Sequence, residues 1–462
     1  MRRLTALSIT ILALPVAATQ ASAQVRDTSR APTAIQLSGE YTATDRPSIA
    51  VQPFAGSAGT GVAPDSMATI IRRDLEYSDL LVPASVPPNL VSATPDYRAL
   101  NSLNIDYLVT GEVQLTGGGY QLALTVHDVV YGRVKDAARY RLPALTAGDF
   151  RMAVHSLSDE IVRGITNRPG FAASRVALTR QNKATASRAT GSYDLLVVDA
   201  DGFGLRRLSG NTGQIYSPTW SPDGSKLAYA FNAGATWQLI ERDMETSRTR
   251  TVTSMKNLTT PTYSPDGSRI AFAGWVEGNG FEIYDYDINR NCCRRLIASS
   301  QREDQAPSYS ADGSRIAFMS DRLGQPHIYI ADTNGGRATL LSPFVSGMRG
   351  YYFSPDWAPN SSKIVFSGHW NSRGVYQIMV ADATRPGGAI DQLTSSGDNE
   401  DPSWAPDGRH IVFSSGVGDQ QLSLYVIDAV TKKRRLLTGG TGKLRMSDWS
   451  PILAKASDYV VN

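Results

Sequence analysis

PTWSPDGSKLAYA, residues 218–230, decides the fold because the chain repeats it. Near-copies stand at residues 261–273 (PTYSPDGSRIAFA), 307–319 (PSYSADGSRIAFM) and 402–414 (PSWAPDGRHIVFS). The anchoring aromatics are Trp220, Tyr263, Tyr309, Trp357, Trp404 and Trp449, separated by 43, 46, 48, 47 and 45 residues. Six copies at one period mark a repeat architecture. Ser-Pro-Asp-Gly is tight-turn chemistry: Pro presets φ, Asp bonds its own backbone, and Gly accepts the positive φ that ends a bulged hairpin. A short buried strand follows each turn. A third strand then ends in Asp in every copy, at Asp199, Asp243, Asp287, Asp332, Asp382 and Asp428. These aspartates are expected to cap the turn into a fourth strand.

Four short strands per repeat make a propeller blade. The first repeat lacks the aromatic strand, and the last copy (448–453, DWSPIL) is that strand alone. The C-terminal strand is therefore expected to complete the first blade and remove the free sheet edges. Ahead of the repeats, residues 46–169 alternate: a strand at 47–54, a helix at 63–81 capped by Asp65 or Ser66, and a helix at 94–103 capped by Thr94. A hairpin about Gly117–Gly119, a strand near 134–142 and a helix at 148–165 follow. The expected fold is multidomain: a small N-terminal α/β domain (46–169), then a six-bladed β-propeller (170–462) closed by the C-terminal strand.

The chain begins with Arg2 and Arg3, a mostly apolar stretch to Ala18, and the small-residue pattern Ala21-Ser22-Ala23. That pattern reads as a signal peptide over 1–23, cleaved near Ala23/Gln24, with an N-terminal segment over 24–45. The stretch is too short and too interrupted for a membrane anchor. An exported, soluble, monomeric protein that does not span the membrane is expected.

The formal net charge is +3 over 462 residues, and the KKRR cluster at 432–435 reads as a solvated edge, so a nucleic-acid partner is not expected. The only cysteines are the neighbours Cys292 and Cys293. Adjacent Cα atoms lie about 3.8 Å apart, which favours free thiols over a strained vicinal disulfide.

Chemistry-bearing constellations are sparse. His127, His155, His327, His369 and His410 are scattered, with no HExxH, and read as satisfied structural histidines. No nucleophile elbow occurs. The DADG at 199–202 reads as a turn rather than a calcium loop, and GSAGTG at 56–61 as a flexible loop rather than a phosphate cradle. No catalytic residue, cofactor or metal is expected. Variable loops leading into the aromatic strands suit recognition instead. Protein-binding candidates are Gln214, Tyr216, Asn257, Thr259, Arg302, Asp304, Gln305, Arg349, Asn399, Glu400, Lys443 and Arg445, around one mouth of the central channel.

The segments at 46–54 (RPSIAVQPF), 103–113 (LNIDYLVTGEV) and 151–161 (RMAVHSLSDEI), followed by the W-S-P-D-G repeats and a final W-S-P-x-L at Trp449–Leu453, resemble the TolB family over nearly the whole chain past 23. The resemblance implies a non-enzymatic periplasmic adaptor of the Tol-Pal system. Its propeller would bind a Pal-like peptidoglycan-associated lipoprotein. Its N-terminal segment would contact a TolA-like inner-membrane protein, in support of outer-membrane integrity and envelope constriction at division. Residues 25–45 form a longer leader than the family's usual one. The rival reading is a periplasmic propeller enzyme acting on a polysaccharide, which would need converging histidines, lysines or carboxylates in the channel mouth.

Overall fold

The computed structural model describes residues 46–181, 192–209, 213–232, 234–343, 350–369, 375–416, 422–440 and 442–461. The expected signal peptide, the segment 24–45 and the candidate Arg349 lie outside them.

The α/β part runs β1 (Ser48–Val51), β2 (Ala55–Gly56), α1 (Ala63–Tyr77), β3 (Val82–Ala84), α2 (Tyr97–Ser102), β4 (Tyr107–Thr116), β5 (Gly119–Asp128), β6 (Arg133–Pro143) and α3 (Phe150–Thr166). The sheet order is β3-β1-β4-β5-β6. β1 lies parallel to β3 and β4, and β4-β5-β6 is an antiparallel meander. Met67, Ile71 and Leu75 of α1 pack with Val154, Leu157 and Ile161 of α3 on one face of this sheet. Both helices therefore show a one-sided apolar stripe.

Two expected caps are wrong. α1 starts at Ala63 behind Val62, with Pro64 in its first turn, so Asp65 and Ser66 lie inside it. It also ends at Tyr77 rather than 81. α2 is capped by Asp96, which accepts from Ala99 N at 3.0 Å, not by Thr94. Asp bonds the free first-turn N–H better placed three residues on.

Six four-stranded sheets follow. Blade 1 has the order Lys443–Trp449, then β7 (Arg175–Gln181), β8 (Tyr193–Asp199) and β9 (Arg206–Arg207). Trp449 pairs with Val176 across 273 residues of sequence, and the ring is shut as expected. Blades 2 to 6 span 214–255, 258–298, 304–340, 351–392 and 398–438.

One substitution pattern runs around the ring. Each aromatic of the inner strands stands beside a third-strand residue of the preceding blade. Where the aromatic is Trp, the corresponding third-strand position holds Val197, Ile330, Val380 or Val426. Where it is Tyr, that position holds an acid: Glu241 before Tyr263, and Asp285 before Tyr309. Tyr263 donates to Glu241 at 3.0 Å, and Arg250 holds the same carboxylate at 2.5 Å. Asp285 is one methylene shorter. It is forked between Arg269 and Arg295, and the buried Tyr309 hydroxyl has no hydrogen-bond partner among the described residues. The Tyr263 hydroxyl finds its acceptor at this third-strand position, whereas the indole N–H groups that are paired donate elsewhere, Trp357 Nε1 to Ser361 O at 3.1 Å and Trp449 Nε1 to Ser174 Oγ at 2.7 Å.

The turns form as read, the two Ser-Pro-Asp-Gly copies and the Ser-Ala-Asp-Gly copy at 310–313 alike: Ser221, Ser264 and Ser310 donate to Asp223, Asp266 and Asp312 at 2.6, 2.5 and 2.6 Å. The divergent turn at 358–362 compensates between blades, with Asn360 Nδ2 donating to Asp407 O of the next turn at 2.9 Å.

Three expectations fail at the outer rim and between the two parts. Cys292 and Cys293 are joined as a vicinal disulfide, at a turn where Cys293 takes φ 67°. The left-handed backbone at the second cysteine supplies the local shape that extended neighbours lack. Asp199 does not cap its turn like Asp243 or Asp382. With Asp201 it meets Arg151 of α3 at 3.0 and 2.6 Å, and Arg73 of α1 reaches Asp201 at 3.1 Å. The KKRR cluster is not a plain solvated edge. Lys433 bonds Asp79 just past α1 at 2.8 Å, and the buried guanidinium of Arg435 lies 4.1 Å from the Tyr77 ring centroid.

Residues 450–461 add a further tie. They leave blade 1 and return to the α/β part, where Ala456 joins its core and Val461 N donates to Arg139 O at 2.8 Å.

Candidate protein-binding face

Each inner strand carries the same local distortion. Ser217, Thr260, Ala306, Ser354, Asp401 and Met446 all take φ between 46° and 53°, at the point where the pairing register with the second strand shifts. A non-glycine residue there costs about 1 kcal/mol or more, and persists only where its surroundings hold it. Here the hold comes from neighbouring blades. Ala306 N donates to Thr260 Oγ1 at 3.0 Å, and Met446 N to Asp401 Oδ2 at 3.0 Å.

A second tier repeats the device. Trp220 N donates to Asp448 at 2.7 Å, Trp357 N to Ser308 at 2.9 Å, Trp404 N to Asp356 at 2.7 Å and Trp449 N to Ser403 at 3.1 Å. Side chains of one blade thus satisfy backbone donors of the next. The channel they surround holds cavities of about 110 Å3 at the bulge tier and about 300 Å3 at the aromatic tier. Burial raises the carboxyl pKa of Asp356 to about 6, against the pull of Trp404 N and Ser308. Burial, and the nearby Asp356 charge, raise Asp448 well above its usual range.

The channel has two unlike mouths. Ser-Pro-Asp-Gly turns and third-strand ends occupy one face, and there the α/β part is bound. The other face carries the loops leading into the inner strands and the starts of the third strands. Aromatics gather on it. Tyr193, Tyr216 and Trp237 stand 4.6 and 5.4 Å apart, in blades 1 and 2. Tyr351, His369, Tyr376 and Phe353 form a second group in blade 5, at 5.0, 5.1 and 5.7 Å. Lys256 lies 4.5 Å from the Trp275 ring centroid.

Of the candidate residues, Gln214 and Tyr216 start the blade 2 inner strand and are half-buried. Burial, then the neighbouring Tyr193, raises the Tyr216 phenol to about 12. Asn257 and Thr259 are half-buried at blade 3, and Arg302 is exposed ahead of blade 4. Gln305 donates to Glu303 at 3.0 Å. Glu400 and Arg445, in blades 6 and 1, are brought together as an ion pair, with Lys443 two residues away on the same strand.

Two candidates face inward instead. Asp304 is fully buried, bonded to Ser300 at 2.9 Å and paired with Arg322 at 3.2 Å. Asn399 is fully buried among Gln377, Thr394 and Ser415. Both fasten the loops that carry the rim. Tyr193, Trp237, Phe281 and Tyr376 are absent from the candidate set although a signal was available, since each opens a third strand with an aromatic residue.

Two acid–histidine clusters have ligand-like spacing, Asp74/His155/Asp201 and Asp79/His410/Asp428. Both already hold cations of the protein. Arg151 and Arg73 fill the first, Lys433 and Arg409 the second. His155 Nδ1 faces Asp74 at 2.8 Å, and His410 lies between Asp407 (2.6 Å) and Asp79 (3.4 Å). The chemistry of this donor set is inter-domain ion pairing. Among the described residues, no helix is long and apolar enough to cross a membrane.

Comparison with known proteins agrees with this architecture. The family model for the TolB beta propeller domain matches residues 162–453, and that for the TolB amino-terminal domain matches residues 39–134. The Tol-Pal system protein TolB of Actinobacillus succinogenes is 32% identical over 422 residues, covering 88% of this chain and 91% of that protein. The protein of the same name from Methylococcus capsulatus is 35% identical over 185 residues, 39% of this chain and 42% of that one. The crystal structure of TolB from Acinetobacter baumannii superposes with a TM-score of 0.75 at 26% identity, covering 88% of this chain and 97% of that chain.

Proposed function

The chain belongs to the TolB family of the Tol-Pal system, and from that premise we propose that it is a non-enzymatic periplasmic adaptor. The aromatic face of the propeller grips a Pal-like outer-membrane lipoprotein. The segment 24–45 engages a TolA-like inner-membrane protein. Handover between the two supports outer-membrane integrity and constriction at division.

The observation that carries this reading is the aromatic rim. Tyr193 shares blade 1 with Arg445 of the Glu400–Arg445 pair, and Tyr216 and Trp237 stand in blade 2 next to it, on the face that the α/β part leaves uncovered. Rigid aromatic and arginine side chains around a fixed depression are what protein interfaces use as anchors. Gln214, Thr259, Arg302 and Lys443 supply a polar rim to the same surface.

The test is titration of the full chain with the soluble domain of a Pal-like lipoprotein from the same organism. Saturable binding, weakened by Trp237→Ala and by Arg445→Glu and unaffected by substitution on the Ser-Pro-Asp-Gly face, is expected. Binding that survives both rim substitutions, or no binding, would refute the reading.

A further inference from the structure

We propose that the groove between blades 1 and 2, at its Ser-Pro-Asp-Gly end, is a binding site for a phosphoryl dianion. Three arginines meet there from three strands. Arg175 opens β7 and Arg206 lies in β9, both in blade 1. Arg242 stands one residue before the end of the third strand of blade 2 (Trp237–Asp243). Their direction follows from register. Arg206 is the cross-strand partner of Val197, and Arg242 of Leu227. Val197 and Leu227 pack together, with Ala177 and Trp220, in the core between these two blades. Cross-strand partners share a sheet face, so Arg206 and Arg242 look into one groove from opposite walls. Arg175, two residues before Ala177, stands on the same face.

The acids beside them are already engaged. Asp199 is divided between Arg175 and Arg151, at 3.0 Å from each. Asp243 turns to its own hairpin, where it accepts from Glu245 N, Thr246 N and Thr246 Oγ1. Arg207 points to the other side of blade 1 and is paired with Asp194 at 3.1 Å. Among the described residues, the side chains of Arg206 and Arg242 enter no ion pair. Burial, and then the charges of Arg175 and Arg242, lower the Arg206 pKa, with Asp199 opposing them. Arg175 and Arg242 are half-buried, so neither is free to swing away into solvent.

The charge surplus sets the ligand class. A monoanion cancels one of the two uncompensated charges. A phosphomonoester carries roughly −1.5 to −2 at neutral pH, with three acceptor oxygens, and so meets two guanidinium forks at once. Phe203 and Leu205, 52% and 36% exposed, border β9 at this end. A group esterified to the phosphoryl has apolar surface there to lie on. The site is on the face that holds the α/β part, away from the aromatic rim, and does not depend on what that rim binds.

Free phosphate and a lipid headgroup are the two sources of this group. The full chain is titrated calorimetrically at neutral pH with inorganic phosphate, and with acetate at equal ionic strength. It is also sedimented with phosphatidylcholine vesicles, with and without phosphatidic acid. Saturable phosphate binding is expected, with acetate weaker by roughly tenfold or more. Arg206→Gln with Arg242→Gln should remove it. In phosphate-free buffer that variant should melt no lower than the parent, because the two charges have no acid to lose. Added phosphate should raise the melting temperature of the parent alone. Co-sedimentation that needs phosphatidic acid and is lost in the variant assigns the headgroup as the source; phosphate binding without it assigns free phosphate. The proposal is overturned if neither phosphate nor phosphatidic acid binds, if acetate binds as well as phosphate, or if the variant binds like the parent. It is equally overturned if the variant melts lower in phosphate-free buffer, since the arginines would then be structural.

Discussion

Asp79 Oδ1 receives Lys433 Nζ at 2.8 Å, across 354 residues of sequence, and its other carboxylate oxygen lies 3.4 Å from His410 Nε2. Its backbone sits at φ 53°, just past α1, and its carbonyl accepts from Arg46 and Arg409. One buried residue of the α/β part is thus inserted among four cationic or titratable groups, three of them from the propeller. Removing one partner of such a buried set leaves the others uncompensated. Asp79→Ala is expected to cost about 3–5 kcal/mol. Calorimetry should show the α/β part melting separately, ahead of the propeller.

His410 makes that junction depend on pH. Burial alone would lower its pKa, but Asp407 and Asp79 outweigh burial and hold it above 6.5. Asp428, Arg409, Lys433 and the Phe171 ring also face this pocket. A group whose folded pKa is raised contributes stability fully below its unfolded value, and that contribution is lost as pH rises through the folded pKa. NMR titration of the imidazole should give a midpoint above 6.5. The pH dependence of melting on the alkaline side should flatten in His410→Gln.

The channel carboxylates titrate with the same sign. Asp356 is raised from 3.8 to about 6 by burial, so stability is lost as pH rises between those two values and the whole cost of ionising it is felt above them. Asp356→Asn can still accept from Trp404 N and can donate to Ser308. The variant should melt higher than the parent at pH 8 by an amount reflecting about 2–3 kcal/mol, and the gain should vanish near pH 4.

The tyrosine–acid junction predicts a coupled pair. Glu241→Val strands the Tyr263 hydroxyl and Arg250, and is expected to cost about 2–4 kcal/mol. Adding Tyr263→Trp restores the aliphatic–indole combination found beside Trp220, Trp357, Trp404 and Trp449. A double-mutant cycle should return a favourable coupling of at least about 1 kcal/mol.

Ring closure separates two truncations. Ending the chain before Lys443 removes the strand that pairs with β7, and should abolish cooperative unfolding of the propeller. Ending it after Ala454 leaves the ring closed and removes the contacts of Ala456, Tyr459, Val460 and Val461 with the α/β part. That shorter loss should lower only the first transition in a thermal scan.

The propeller was legible because its information is local. Ser-Pro-Asp-Gly fixes a turn through the φ of Pro222, the Asp223 carboxylate and the positive φ of Gly224, whatever lies elsewhere. The spacing of Trp220, Tyr263, Tyr309, Trp357, Trp404 and Trp449 then dictates six blades and, through the displaced last strand, their closure. The face for recognition was legible only as loops. Asp304 and Asn399 read as rim residues by position, yet burial turns both inward, because burial depends on neighbours from other blades.

What tertiary structure alone decided are the partnerships between distant charges. KKRR reads as a solvated edge and DADG as a turn, since nothing nearby in sequence opposes their charges. Folding sets Lys433 and Arg435 against α1, and Asp199 and Asp201 against Arg151 and Arg73. Turn geometry needs only consecutive residues. A charge is defined by whatever the fold carries to within a few ångströms of it.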